Sequence, residues 1–181
     1  MARATMAGLI TLVRGLINDP AGASQQFPDD EIQEQLDLTR EYVLLSELTP
    51  YAQPDGITQL KWQSPYKYWE SDVVLTDPAG TALIPTSSDY KSGYFVFGAT
   101  QSAVYATGFS YDIYAASAEL LTLWAGRIEQ DITKFSADGS SYEFEGIAQG
   151  KLKLASEYKA KSTRFGAIRT ARMVRDDFTI E

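Results

Sequence analysis

Apolar positions recur along this chain in two rhythms, and the point where one gives way to the other joins strand to helix. Between Val104 and Lys134 the chain opens as an alternating strand and turns at Gly108. From Asp112 it takes a helical spacing that sets Ile113, Leu120, Trp124, Ile128 and Ile132 on one face. A strand is therefore expected to feed directly into the longest helix, over 112–134. Asp112 serves as its N-cap, because a carboxylate there accepts from the free amides of the first turn. Asp138-Gly139 supplies the turn beyond it.

The helical rhythm predicts three more helices. Residues 5–17 place Met6, Leu9, Ile10, Val13, Leu16 and Ile17 together, with Thr5 as N-cap and Pro20 just past the end. Phe27-Pro28-Asp29-Asp30-Glu31 opens a second helix, over 29–48, whose acidic first turn suits the helix dipole. In it Ile32, Leu36 and Val43 form one stripe and Leu38, Tyr42 and Leu45 another. So wide an apolar face calls for cover on more than one side, by the bundle or by another copy. A helix over 142–162 turns Phe144, Ile147, Ala148, Leu152, Ala155 and Tyr158 inward and pairs Glu157 with Lys161.

The strand rhythm occupies 57–109, after Pro50, Pro54 and Asp55-Gly56 mark the change. One hairpin joins Val73–Leu75 to Ala82–Ile84 through Asp77-Pro78-Ala79-Gly80. A second joins Tyr94–Phe97 to Ala103–Thr107 around Gly98, and Gln59–Trp62 adds a further strand. Such a sheet is too small to stand alone and must pack on the helices or a partner. The fold class predicted is α+β, mainly α: a helical bundle over residues 1–163 with a small antiparallel β insertion at 57–109. Residues 164–181, whose isolated apolar side chains follow no clean period, form an extended C-terminal arm.

At 181 residues and 44% apolar content the chain suits one domain. The absence of cysteine and histidine removes disulfides, thiolate or imidazole metal sites, and Ser-His or Cys-His nucleophiles. Arg3, a short apolar run and Ala21-Gly22-Ala23 superficially copy a signal peptide, but Arg14 interrupts the run and Asn18-Asp19-Pro20 separates it from the small residues. No stretch approaches the roughly 18 apolar residues of a membrane span. A soluble, non-secreted protein with no membrane partner is expected.

Charge is divided unevenly. Residues 1–149 carry 8 Lys+Arg against 20 Asp+Glu, while residues 150–181 carry 8 against 4. Either the basic tail folds onto its own acidic body, or it docks on an acidic neighbour or another protein. Nucleic acid is disfavoured, since phosphates are repelled by an acidic body.

Candidate chemistry is sparse. No Gly-rich phosphate loop, nucleophile elbow or calcium loop occurs. Asp29-Asp30-Glu31 and Glu143/Glu145 are the carboxylate groups on offer for acid–base work, yet they stand at helix starts, where the dipole alone accounts for them. No catalytic residue, metal site or cofactor is expected. Trp62, Tyr66, Tyr68 and Trp69, interleaved with Lys61 and Lys67, read either as rings covering the sheet or as a contact patch for a protein, a sugar or stacked bases.

Two parts of the chain carry a family resemblance. Phe27-Pro28-Asp29-Asp30-Glu31-Ile32 through Tyr42 is the first. The second is Tyr105-Ala106-Thr107-Gly108-Phe109-Ser110-Tyr111-Asp112-Ile113-Tyr114-Ala115-Ala116 through the segment FSADGSSYEFEGIAQGKLKLASEYKAKS. Together they resemble the head-to-tail connector (adaptor) proteins in the neck of tailed bacteriophages, over half to two-thirds of the chain. The resemblance implies identical subunits in a ring, commonly a dodecamer, below the portal vertex, with a C-terminal arm that reaches the portal. It therefore assigns Arg164, Phe165, Ile168, Arg169, Arg172, Met173, Arg175 and Phe178 to contact with the portal protein or a neighbouring subunit. Other neck or tail proteins are implied as partners, and the location is the virion neck after synthesis in the host cytoplasm. DNA passes through without being specifically bound, which suits an acidic ring because phosphates meet like charge. The competing readings are a carbohydrate-binding or tail/baseplate interaction module using the Trp62–Trp69 cluster, and an accessory protein touching DNA through Lys151 to Arg175.

Overall fold

The computed structural model describes residues 1–51, 59–132 and 141–162. A 3-10 turn at Ala4–Met6 runs into α1 (Ala7–Ile17), which buries Leu9, Ile10, Val13 and Ile17 and ends with Asn18 at φ 56°. Asparagine tolerates that left-handed conformation better than a bulkier residue does. No side chain caps α1; Thr5, expected to do so, gives its hydroxyl to Glu70 instead.

Helix α2 (Asp29–Leu38) ends ten residues before the expected limit. Both the amide and the hydroxyl of Thr39 donate to the Leu36 carbonyl, at 2.8 and 2.9 Å, closing the last turn. The chain then enters strand β1 (Arg40–Glu47), followed by the short β2 (Thr49–Pro50). The helical stripe assigned to Leu38, Tyr42 and Leu45 is thus a coincidence of spacing. Tyr42 and Val43 suit a strand, and pairing with a distant partner decides the matter.

The remaining strands are β3 (Lys61–Gln63), β4 (Val74–Thr76), β5 (Ala82–Leu83), β6 (Ser87–Asp89), β7 (Tyr94–Val96) and β8 (Tyr105–Tyr111). They complete two four-stranded antiparallel sheets, ordered β1-β8-β4-β5 and β2-β3-β7-β6. The expected β4–β5 hairpin is present, with Leu75 opposite Leu83 and Thr76 opposite Ala82. Asp77 Oδ1 accepts the amides of Ala79 and Thr81 to hold its turn. The second expected hairpin is not formed: β7 pairs with β3 and β6 in one sheet, while β8 pairs with β1 and β4 in the other. Gly108 lies inside β8 rather than at a turn. A Cβ there would press on Val73, with Cα at 3.2 Å.

From β8 the chain passes through Asp112 into α3 (Ile113–Ile132), and α4 (Ser141–Lys161) packs back along it. The helical core gathers Met6, Val13, Ile17, Phe27, Ile32, Leu36, Leu120, Leu121 and Tyr158. The sheets enclose a second cluster around Trp62, Trp69, Leu75, Phe95 and Val104. On α4 the inner residues are Ala148, Ala155 and Tyr158, whereas Ile147 and Leu152 point outward. The architecture is therefore a mixed α+β fold with two substantial sheets, not a helical bundle carrying a small β insertion. A larger helical core and a smaller sheet core replace the single bundle core that local periodicity suggests.

Candidate interaction surface at the β8–α3 junction

Asp112 brings four elements to one point. Its Oδ1 accepts the amides of Tyr114 and Ala115 at 3.1 and 2.9 Å, the N-cap that its position in the sequence predicts. Its Oδ2 accepts the Ser162 hydroxyl at 2.7 Å, at the end of α4. Its amide donates to the carbonyl of Thr39, at 3.4 Å, just before β1 begins. The end of α2, the start of β1, the β8–α3 junction and the end of α4 therefore converge.

An open cleft of about 820 Å³ lies at this convergence, lined by Thr39–Glu41, the Pro65–Tyr68 loop, Ser110–Asp112, Tyr114 and Lys161. Tyr68 holds φ 56°, a left-handed conformation uncommon for an aromatic residue. Flanking bonds fix it there: its amide donates to the Lys91 carbonyl, and its own carbonyl accepts the Tyr111 amide, each at 3.1 Å. Its ring stands edge-on to Tyr114, which in turn meets Tyr158. Burial, aided by the hydrogen bond with Tyr114, pushes the Tyr68 hydroxyl up to about 12.

Behind the cleft sits a buried carboxylate that the sequence alone did not single out. Glu70 accepts from the Thr5 and Tyr111 hydroxyls, each at 2.5 Å, and from the Arg3 guanidinium at 3.1 and 3.4 Å. Arg3 simultaneously clasps Asp37 through two bonds of 3.0 and 2.8 Å. Burial opposes ionisation of Glu70, but the bonds from Thr5, Tyr111 and Arg3 outweigh it and hold its pKa below the usual glutamate range. For Tyr111, burial and the donation to Glu70 push the hydroxyl upward. The hydrogen bond to Asp37 leads the rise at Arg3. A carboxylate this fully engaged ties the N-terminal residues to β8 and has little capacity left to take a proton from a substrate.

Of the carboxylates considered for acid–base work, Asp29 and Glu31 are engaged by basic side chains. Asp29 accepts from Arg14 at 2.6 Å and Glu31 pairs with Arg127, while the side chains of Glu143 and Glu145 lie outside the described set. Among the described residues no group of three acidic, histidine or cysteine side chains is arranged to hold a metal ion. No helix among them is long and apolar enough to cross a membrane.

The aromatic cluster is split by the fold. Trp62 and Trp69 are 2% and 1% exposed and form part of the sheet core, with indole N–H groups donating to the carbonyls of Gln59 and Tyr66. Only Tyr66 and Tyr68 reach the cleft. The assigned arm residues Arg164, Phe165, Ile168, Arg169, Arg172, Met173, Arg175 and Phe178 lie outside the described residues.

The surface that sequence reasoning missed is the outer edge of β1. Among the described residues no strand pairs with it. Tyr42, Leu44 and Leu45 are exposed there at 57%, 67% and 58%. The register against β8 slips between Val43 and Ser46, and Leu45 occupies the bulge at φ 47°, its amide held by the Thr107 hydroxyl at 3.0 Å. A leucine in the left-handed region thus stands beside two other exposed apolar residues. The aromatic and β-branched pair Tyr42-Val43 is the one local feature that favours a strand here.

No family model matches the chain, and neither a curated protein nor a solved structure matches it.

Proposed function

We propose that this chain is a structural neck protein of a tailed bacteriophage. In this reading it is a head-to-tail adaptor whose copies form a ring below the portal, join capsid to tail and let the genome pass. The observation that carries it is the outer edge of β1, which no strand among the described residues pairs and where Tyr42, Leu44 and Leu45 are exposed, a surface suited to contact between protein subunits. The net charge of −8 supports it, because a ring of such subunits conducts DNA without holding it. Burial of Trp62 and Trp69 removes the stacking platform on which a carbohydrate-binding module would rely.

The protein acts in this reading as a shaped surface without a reactive centre, partnered by the portal, by identical subunits and by other neck or tail proteins, in the virion. Residues 164–181 supply the portal-directed arm, consistent with their basic side chains at Arg164, Arg169, Arg172 and Arg175. Mixing the full chain and a chain ending before Arg164 with portal complexes, and imaging both by electron microscopy, tests this. The full chain should add a ring below the portal and the shortened chain should not. A full chain that leaves the portal bare would overturn the assignment.

A further inference from the structure

We infer that the sheet β1-β8-β4-β5 continues from one copy of this chain into the next, the outer edge of β1 pairing antiparallel with the outer edge of β5 in the neighbouring copy. The inference rests on the proposed function only in taking identical copies as neighbours, and it names the two edges that meet.

Both edges present unused backbone groups. Phe109 accepts from the Glu70 amide and the Tyr111 amide donates to Tyr68, so both turn their peptide groups away from β1. Alternation then directs Ser110 and Gly108 towards β1, where they face Glu41 and Val43. The peptide groups of Arg40 and Tyr42 consequently point outward, and those of Leu44 follow before the bulge. At the other side of the sheet the Asp77 amide donates to the Thr81 carbonyl, so the next bonded pair is Leu75 with Leu83. Ala82, and Ile84 just past β5, therefore turn their peptide groups away from β4. Among the described residues no strand pairs with either edge.

The side chains at the two edges match in face and character. Tyr42 lies opposite Phe109, Thr107 opposite Val74, and Thr76 opposite Ala82. Tyr42, Leu44, Ala82 and Ile84 thus project from one face of the sheet, while Val43, Leu75 and Leu83 pack into the core beneath the other. On the first face Ile84 is 88% exposed and its neighbour Val74 50%. Setting Tyr42 against Ile84 of the next copy, and Leu44 against its Ala82, joins outward peptide groups to outward peptide groups and apolar side chains to apolar side chains. Pro85 then falls opposite Glu41, at a position that calls for no amide donor. The seam ends there, because the Thr86 amide is committed to Val96.

Direction agrees as well. Each of the three junctions in this sheet is antiparallel, so β5 runs opposite to β1, and a neighbour's β5 placed beside β1 continues the same alternation. Two different edges make a head-to-tail contact, which closes into a ring when the rotation is right. Pairing β1 with a second β1 about Tyr42 would instead stop at two chains and set their Glu41 carboxylates diagonally across one face. Two bonded pairs bury far less than the roughly 800 Å² per partner of a standing complex. Free copies therefore meet weakly, and ring closure strengthens the contact.

The experiment uses the full chain without any portal. Because the chain has no cysteine, Tyr42→Cys and Ile84→Cys each supply a single thiol, and the two variants, made with different mass tags, are mixed and treated with a short bismaleimide. The mixed dimer should exceed, by at least about tenfold, the dimers within either variant and the dimer of Tyr42→Cys with Lys91→Cys, since a held pair raises the effective concentration of its two thiols. Lys91 serves as the control because it is exposed in the turn between β6 and β7. Ala82→Pro in the Ile84→Cys chain removes an outward N–H without touching the β4–β5 bonds and should abolish the excess. Leu44→Lys in the Tyr42→Cys chain should do the same from the other edge. No excess, an excess of dimers within the Tyr42→Cys variant, or an excess that survives either substitution would overturn the inference. A chain that docks on the portal yet gives no excess sinks this seam alone, whereas one that gives the excess and leaves the portal bare sinks the neck assignment alone.

Discussion

The Ser162 hydroxyl lies 2.7 Å from Oδ2 of Asp112, so one carboxylate caps the start of α3 with its first oxygen and holds the end of α4 with its second. Each oxygen meets a different requirement. Free amides at a helix start need an acceptor, and an antiparallel partner helix needs an anchor where it ends.

Replacing Asp112 should therefore cost more than a simple cap. Asp112→Ala is expected to lower stability by about 2 kcal/mol in urea denaturation, at the upper end for an N-cap, because the Ser162 contact goes with it. Asp112→Asn retains an oxygen for the amides and should lose less than half of that. Equal losses for the two substitutions would show that charge, not acceptor geometry, is what matters at this junction.

Glu70 makes stability depend on pH in a defined direction. Its pKa in the folded state lies below the ordinary value of 4.5, so the unfolded chain binds more protons and acid favours unfolding. The stabilisation is complete above the ordinary glutamate range and is lost as pH falls through the depressed folded value. Glu70→Gln should flatten that acid limb of a stability–pH profile. At neutral pH it should cost about 2 kcal/mol, since the bonds from Arg3, Thr5 and Tyr111 lose a charged acceptor. An acid limb of unchanged slope in the variant would mean that other carboxylates set it.

Much of the helical half was legible because its signals are local. The periods around Val13, Leu120 and Tyr158 survive in the core, and Asp112 caps as its type and position predict. The Asp77–Gly80 hairpin was legible for the same reason. What failed depended on partners far along the chain. Arg40–Glu47 reads as helix until Tyr105–Tyr111 is placed beside it, and β7 and β8 look like a hairpin until each is claimed by a different sheet. The site suffered likewise: Trp62 and Trp69 match a contact patch in spacing, yet the second core takes them in. Nothing near Glu70 in sequence announces that Arg3, Thr5 and Tyr111 surround it.

Gly93 should tolerate no side chain. It holds φ 73°, and a Cβ there would meet the Tyr66 carbonyl oxygen closer than any real contact and the Ser64 Cβ at 3.2 Å. Neither can retreat easily, because the Ser64 amide donates to the Gly93 carbonyl itself. Gly93→Ala is expected to cost about 3 kcal/mol, combining left-handed strain with the clash. Gly80→Ala, at φ 83° with open space around it, should cost only about 1 kcal/mol. Thermal unfolding of the pair separates steric from conformational cost.

The β1 edge allows stability to be distinguished from assembly. Leu45 pays a left-handed penalty at φ 47° while 58% exposed. Leu45→Gly should therefore stabilise the isolated subunit by about 0.5–1 kcal/mol, the gain in backbone freedom being partly offset by the larger entropy of the unfolded chain. Leu44→Lys, at a position 67% exposed, should change subunit stability by no more than about 0.5 kcal/mol. If the edge serves contact between subunits, both substitutions should nonetheless impair assembly onto portal complexes, since one deletes an apolar side chain and the other puts charge in its place. Urea titration and sedimentation of the same samples give the two quantities side by side. Variants that assemble as the parent does would show that the exposed leucines of β1 take no part in the contact.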